Sequence, residues 1–356
     1  MTIQQLLKTA PITALLLASF IGLFIMQILT GVDANNPSTE ALLGWGANAL
    51  PFTMGDDPWR LVSSAFLHIG LMHLLFNGFA MYFFGQIAEP MFGSAKFLAL
   101  FLLAAIGGNL LNNYVTWQGI LDGTGQPGLS AGASGGIMGI GAALLIAALF
   151  KISVNGMVLN LKSLVFIIGI NLVYGFAVPG IDNAGHIGGA ITGLVIALAF
   201  AIGYRQRLAV ALQNAALSHQ AMLNLNQYST QYSSPYSAHY NDPNNDGTHT
   251  TAQLSSFETN SMHSTANTGV DTDAAIINTS HINGGHTNDH TAIHADINDI
   301  DNADASRTAH HPIIEKKASF IWHVLPWLTM LIIAVGFVWW WQDIHQQLLQ
   351  VLKAIE

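Results

Sequence analysis

The sequence predicts an all-α polytopic membrane protein, with six helices forming a core and one further helix near the C-terminus. Three observations carry that expectation. Hydrophobic residues make up 51% of the 356-residue chain and charged residues only 9%, far below the roughly 25% charged that is usual in soluble domains. The apolar residues gather into seven runs, each approaching the ~20 residues that cross a bilayer. Lysine and arginine fall between these runs with an alternation that gives each one a direction.

The first run extends from about Ile12 to Leu29. It is long for the apolar centre of a signal peptide and more apolar runs follow, so it is expected to be retained. Asp33 to Ser64 is a long connection whose Trp45, Pro51, Pro58 and Trp59 suit an interfacial, partly embedded loop. The second run is Ala65–Gly85 and the third lies within Met91–Leu111. The fourth starts at Ser134 and ends near Phe150. Val158–Val178 is the fifth, Ala184–Tyr204 the sixth and Ser319–Trp341 the seventh. Residues 1–205 thus read as the six-helix core, 206–318 as a polar, mostly disordered linker, 319–341 as the seventh span and 342–356 as a short tail.

Lys8, Lys96, Lys151, Lys162, Arg205, Arg207, Lys316 and Lys317 all fall on one side if the N-terminus is cytoplasmic, against Arg60 and Lys353 on the other. The positive-inside rule therefore places the N-terminus in the cytoplasm and Ser134 at the outer end of its span. The chain contains no cysteine, which excludes a disulfide framework, a thiol nucleophile and cysteine–metal sites. The net charge of −9 arises mostly in the late polar segment and implies no nucleic-acid partner.

The stretch Leu129-Ser-Ala-Gly-Ala-Ser-Gly-Gly-Ile-Met-Gly139 puts Ser134 among glycines where a turn-rich loop becomes an apolar helix. Gly132, Gly135 and Gly136 permit close approach to its hydroxyl. Free N–H groups at a helix start suit a nucleophile and the oxyanion it generates. A helix N-cap is the other role for a serine at such a place. His68, His73 and Asn77 lie in the second run, His73 and Asn77 four apart and on one helix face. Polar side chains at membrane depth are functional candidates, with helix-to-helix hydrogen bonding as the alternative, which suits His68 best. The sixth run opens with His186, followed by Gly189 and Gly193 in a small-x-x-x-small pattern that Gly135 and Gly139 repeat.

Four runs, Trp59-Arg60-Leu-Val-Ser-Ser-Ala-Phe-Leu-His68, then His73-x-x-x-Asn77, then Gly132-Ala-Ser134-Gly, then Ala184-Gly-His186-Ile-Gly-Gly, resemble the rhomboid family of intramembrane serine proteases in order and helix placement. The resemblance covers roughly Pro11 to Tyr204 and implies a rhomboid-like six-helix core with an extra C-terminal helix (6+1). It further implies Ser134 as nucleophile and His186 as general base, with no third acidic member. His73, Asn77 and the Ser134 backbone N–H match the oxyanion donors, and Glu89 matches a structural glutamate. The expected partners are transmembrane protein substrates, cut in or beside their spans, within the bilayer; neither cofactor nor metal is implied. Where some members place a tyrosine beneath the histidine, this chain has Met138, a residue able to pack on an imidazole.

Two other functions compete with this reading: a silent rhomboid-like protein that binds membrane clients, and a channel or transporter using His73, Asn77 and His186 as a polar path. The first usually accompanies loss of the serine or histidine, and the second predicts internal repeats, which the sequence lacks. His281, His286, His290, His294, His310 and His311 have spacings that could bind metal weakly, but their Asn-, Gly- and Thr-rich surroundings disfavour a helix. Asp242-Pro-Asn-Asn-Asp-Gly247 begins like a calcium loop, yet position twelve is Gln253. The layout suits a bacterial inner membrane, and no feature of the sequence sets an oligomeric state.

Overall fold

The computed structural model describes residues 2–126, 128–152, 159–166, 168–169, 181–232 and 316–355. Among these, five helices are long and apolar enough to cross a membrane, and a sixth is apolar and shorter. The expected fifth span, Val158–Val178, lies largely outside the described residues, as do residues 233–315 with their histidines.

Contacts divide the chain into two units, residues 1–209 with 318–356, and residues 210–317. The first unit begins with α1 (Ile3–Thr9), closed by a capping box between Thr2 and Gln5. α2 (Pro11–Leu29) starts with proline in its first turn, where the missing N–H costs no helical bond. Its N-terminus is held by Glu89, whose carboxylate accepts the Ile12 N–H at 2.9 Å, the Thr13 N–H at 2.7 Å and the Thr13 hydroxyl at 2.8 Å.

The connection that follows is a folded structure. It contains α3 (Thr39–Gly44), β1 (Asn48–Ala49), α4 (Leu50–Thr53) and α5 (Arg60–Ser63). Arg60 is its buried hub, bonded to Asp57 at 3.0 Å and donating to the carbonyls of Leu43 at 2.7 Å and Ala47 at 3.2 Å. β1 pairs antiparallel with β2 (Leu129–Ser130), Asn48 opposite Ser130 and Ala49 opposite Leu129. That pairing ties the connection to the approach of Ser134.

The second apolar run differs from its sequence reading. Residues 64–66 form a 3-10 turn, and the helix, α6 (Leu71–Phe92), begins only after Gly70. His68 therefore lies before the helix rather than in it. α7 (Ser94–Leu121) outlasts the third apolar run by ten residues, because Asn112, Asn113 and Gln118 lower the hydropathy without stopping a helix. α8 (Ser134–Leu149) agrees with the fourth run.

α9 (Asn183–Tyr232) and α10 (Ile321–Ile355) both run past their apolar segments. The first part of the stretch read as linker is thus helical, and so is the tail after Trp341. In the second unit, the described Asn214 side chain exchanges two hydrogen bonds with the Lys316 backbone, at 2.8 and 3.1 Å. In the first unit, α10 is fixed by Trp341 donating to the Thr53 carbonyl at 2.8 Å and by Trp117 donating to Gln347 at 2.9 Å. Its Ile344 is buried with Leu50, Met54, Leu61, Leu110 and Trp117.

Candidate active site

Ser134 is the first residue of α8, and Ala133 occupies the N-cap position, with no side-chain capping bond. The hydroxyl is thus not spent as a cap. Ser134 is half-buried and lines a cavity of about 30 Å3 together with Asn109, Ser130, Gly132, Gly135 and Asp182. That is room for a water molecule with polar partners. Gly132 has φ +146°, and a Cβ there would meet the His73 ring at 2.6 Å, so only glycine lets the imidazole lie on this backbone. The Gly132 N–H donates to the Ser64 carbonyl at 2.9 Å, which fixes the loop before the serine.

The helices that carry Ser134 and His186, α8 and α9, meet backbone to backbone. A Cβ on Gly189 would run into the Gly135 carbonyl, one on Gly193 into the Gly139 carbonyl, and one on Gly135 would lie 3.3 Å from the Gly185 carbonyl. Small residues permit this approach in a bundle whose helices gain little from hydrophobic driving force. The contact joins Gly135 to Gly185, the chain neighbours of Ser134 and His186. The structure thus brings the glycines of both small-x-x-x-small patterns together, as their spacing predicts.

The His73 ring lies 5.4 Å from that of His68, edge to face, and His68 in turn packs on Phe20 at 5.3 Å. Nδ1 of both His73 and His186 is buried without a hydrogen-bond partner among the described residues. Asn77, buried one turn along α6, donates to the His73 carbonyl at 3.0 Å. An amide nitrogen carries two N–H donors, so one remains for a ligand. Met138 is buried one turn below Ser134 on α8. Among the described residues, no group of three or more His, Cys, Asp or Glu side chains is gathered to hold a metal ion.

Sequence reasoning passed over an amide network beside the serine. Asn48 donates to Ser130 at 3.0 Å and to Asn112 at 3.3 Å, and accepts from Asn113 at 2.8 Å. Asn112 donates to Asp182 at 2.8 Å, while Asn109 donates to the Leu61 carbonyl and the Ser64 hydroxyl, both at 2.8 Å. Asp182 stands in the N-cap position of α9 and accepts the Gly185 N–H at 2.7 Å. The signal was present as a cluster of asparagines at 109, 112 and 113 on one helix.

Residues 55–202 match the rhomboid domain model. The chain is 38% identical over 184 residues to Rhomboid protease GluP of Bacillus subtilis (strain 168), covering 51% of this chain and 34% of that protein. Rhomboid protease AarA of Providencia stuartii is 31% identical over 210 residues, covering 54% of this chain and 74% of that protein. RHOMBOID-like protein 6, mitochondrial, of Arabidopsis thaliana is 32% identical over 181 residues, with 50% and 56% covered. The chain thus spans about a third of the Bacillus relative's length and just over half of the Arabidopsis one's. The matched domain holds α6 to α8 and the start of α9, the elements that carry Ser134, His73, Asn77 and His186. With its bundle of apolar helices and a match that covers most of the Providencia protein, this multi-pass membrane chain belongs to the rhomboid family.

Proposed function

We propose that the chain is an intramembrane serine endopeptidase that hydrolyses peptide bonds in or next to transmembrane segments of other proteins. One observation supports this most. Ser134 opens α8 uncapped, beside a polar cavity, at the point where Gly135 meets Gly185 next to His186. A helix that only packs has no use for a free hydroxyl at that junction.

In this reading, His186 takes the Ser134 proton as the oxygen attacks the scissile carbonyl, then delivers it to the leaving amine. The C–N bond breaks, an acyl-serine remains, and water admitted through the polar cavity releases it. The oxyanion is held by the second N–H of Asn77, by His73 and by N–H groups at the start of α8. The serine end faces the outer side, as the lysines and arginines direct. Substrate helices reach the site sideways from lipid and must unwind locally to present an extended bond, which favours helix-weakening sequences.

The test is labelling of the detergent-purified chain with a fluorophosphonate, wild type beside Ser134→Ala and His186→Ala. Labelling of the wild type alone is expected, with cleavage of a transmembrane reporter lost in both variants. A folded wild type that neither labels nor cuts would sink the protease reading and favour a client-binding protein.

A further inference from the structure

Among the described residues, Asp182 is the one acidic side chain on the wall of the cavity at Ser134, and the catalytic scheme above gives it no task. Its position is specific. Oδ1 accepts both the Gly185 N–H at 2.7 Å and the Asn112 side-chain amide at 2.8 Å, and its own carbonyl accepts the His186 N–H at 3.1 Å. The carboxylate lies so close over the first turn of α9 that a Cβ on Gly185 would collide with it. One oxygen atom thereby pins the turn that carries His186 to α7. From Asn112 the bonding continues to Asn48 and then to Ser130, four residues before Ser134. Base and nucleophile segments hang on the same short chain of hydrogen bonds.

We propose that Asp182 is a positioning residue for His186. Its carboxylate sets the height and rotation of the first turn of α9 against α7, and so the distance between the imidazole and the Ser134 oxygen. Its bonds go to the backbone of that turn and to Asn112, so it acts through the helix and is not a third member of a relay. The proposal rests on the protease reading. It places the precision of the dyad in a cap-and-clamp that the glycine seam alone does not supply, because glycines allow close approach without fixing rotation. A misplacement of about 1 Å in a reacting pair costs on the order of a hundredfold in rate, so a single cap bond has leverage here.

The experiment uses the full chain in detergent and measures the fluorophosphonate labelling rate, kcat and KM on a transmembrane reporter, and the thermal midpoint. Rates are normalised to folded protein by size exclusion. Asp182→Ala is expected to lower labelling and kcat about ten- to a hundredfold with KM within about twofold. Asp182→Asn keeps an acceptor oxygen for both donors and is expected to recover most of the rate. Asn112→Ala removes the clamp but leaves the cap, and is expected to fall between; it also serves if Asp182→Ala does not fold. A lowered midpoint with unchanged kcat in Asp182→Ala or Asn112→Ala would reduce Asp182 to a structural cap and overturn the proposal. So would an Asp182→Asn as slow as the alanine variant. These outcomes leave the protease reading standing if wild type labels and Ser134→Ala does not. An unlabelled, inactive wild type overturns both.

Discussion

Two carboxylates in this molecule do the same local job and differ in everything around it. Glu89 and Asp182 each accept N–H groups at the start of a helix, α2 and α9 respectively. Glu89 is 1% exposed and accepts four hydrogen bonds, the last from the Ser94 hydroxyl at 2.6 Å. Asp182 is half-buried, concentrates its two bonds on one oxygen, and faces a cavity. A buried carboxylate that accepts four hydrogen bonds is built to hold helices together. One that faces a cavity, and is bonded to the turn carrying His186, is placed to influence chemistry there. Burial, saturation of the carboxylate and the cavity beside Asp182 together separate the two.

The largest expected effect removes the glycine seam between α8 and α9, on which the Asp182 turn also sits. Gly189→Leu drives a side chain into the Gly135 carbonyl, where backbone has no room to yield. We expect no folded protein by size exclusion and no labelling, the loss exceeding about 4 kcal/mol. Gly22→Ala is the matching control, because nothing lies within 4 Å of a Cβ there; it should fold and label as wild type. A stable Gly189→Leu would mean that α8 and α9 are held together without the seam.

Asn77→Ala sharpens the contrast at the serine end. It should cost about 10²–10³ in turnover, the loss of one oxyanion donor, with a small change in thermal midpoint because the bond to the His73 carbonyl lies within α6. Turnover unchanged from wild type would remove Asn77 from the site. Glu89→Ala should show the reverse pattern. Stranding the Ile12 and Thr13 donors and two hydroxyls should cost about 3 kcal/mol, read as a lowered thermal midpoint. Labelling per folded molecule should stay at the wild-type rate. If that rate fell instead, the division between a holding end and a reacting end would be wrong.

The same contrast explains what the sequence made legible. Apolar runs announce α2, α8 and the apolar part of α9, because a bilayer demands about 20 apolar residues and little else does. Ser134 and His186 stand out because a polar residue between glycines in such a run is conspicuous. Asp182 and the asparagines of α7 do not, since polar residues at the end of an apolar run look like the start of a loop. Asn112 and Asn113 belong to a helix that runs on to Leu121, and hydropathy is silent about where a helix stops once it leaves lipid. His68 shows the opposite error. Its surroundings are apolar enough to read as membrane helix, yet the backbone turns at residues 64–66 and α6 begins at Leu71. Apolarity records burial, and here burial is supplied by Phe20 and His73 rather than by a helix of its own.

The smallest expected effect tests whether the serine end extends to α10. Trp341 donates to the Thr53 carbonyl, and the His345 ring, stacked on Trp341 at 4.9 Å, meets the Met54 carbonyl at 2.6 Å. Both carbonyls belong to the end of α4, and α4 directly follows β1, whose partner β2 leads to Ser134. Each bond is worth only about 1 kcal/mol net, so Trp341→Phe and His345→Ala should each lower the thermal midpoint by a few degrees. The informative quantity is the labelling rate of Ser134 in the double variant. If α10 merely adds packing area, labelling per folded molecule stays constant while the midpoint drops, and α10 sides with Glu89. A labelling rate that falls by more than the folded fraction would put α10 on the Asp182 side of the comparison, because the two bonds removed lead through α4, β1 and β2 toward Ser134, while the bond from Trp117 to Gln347 still ties α10 to α7.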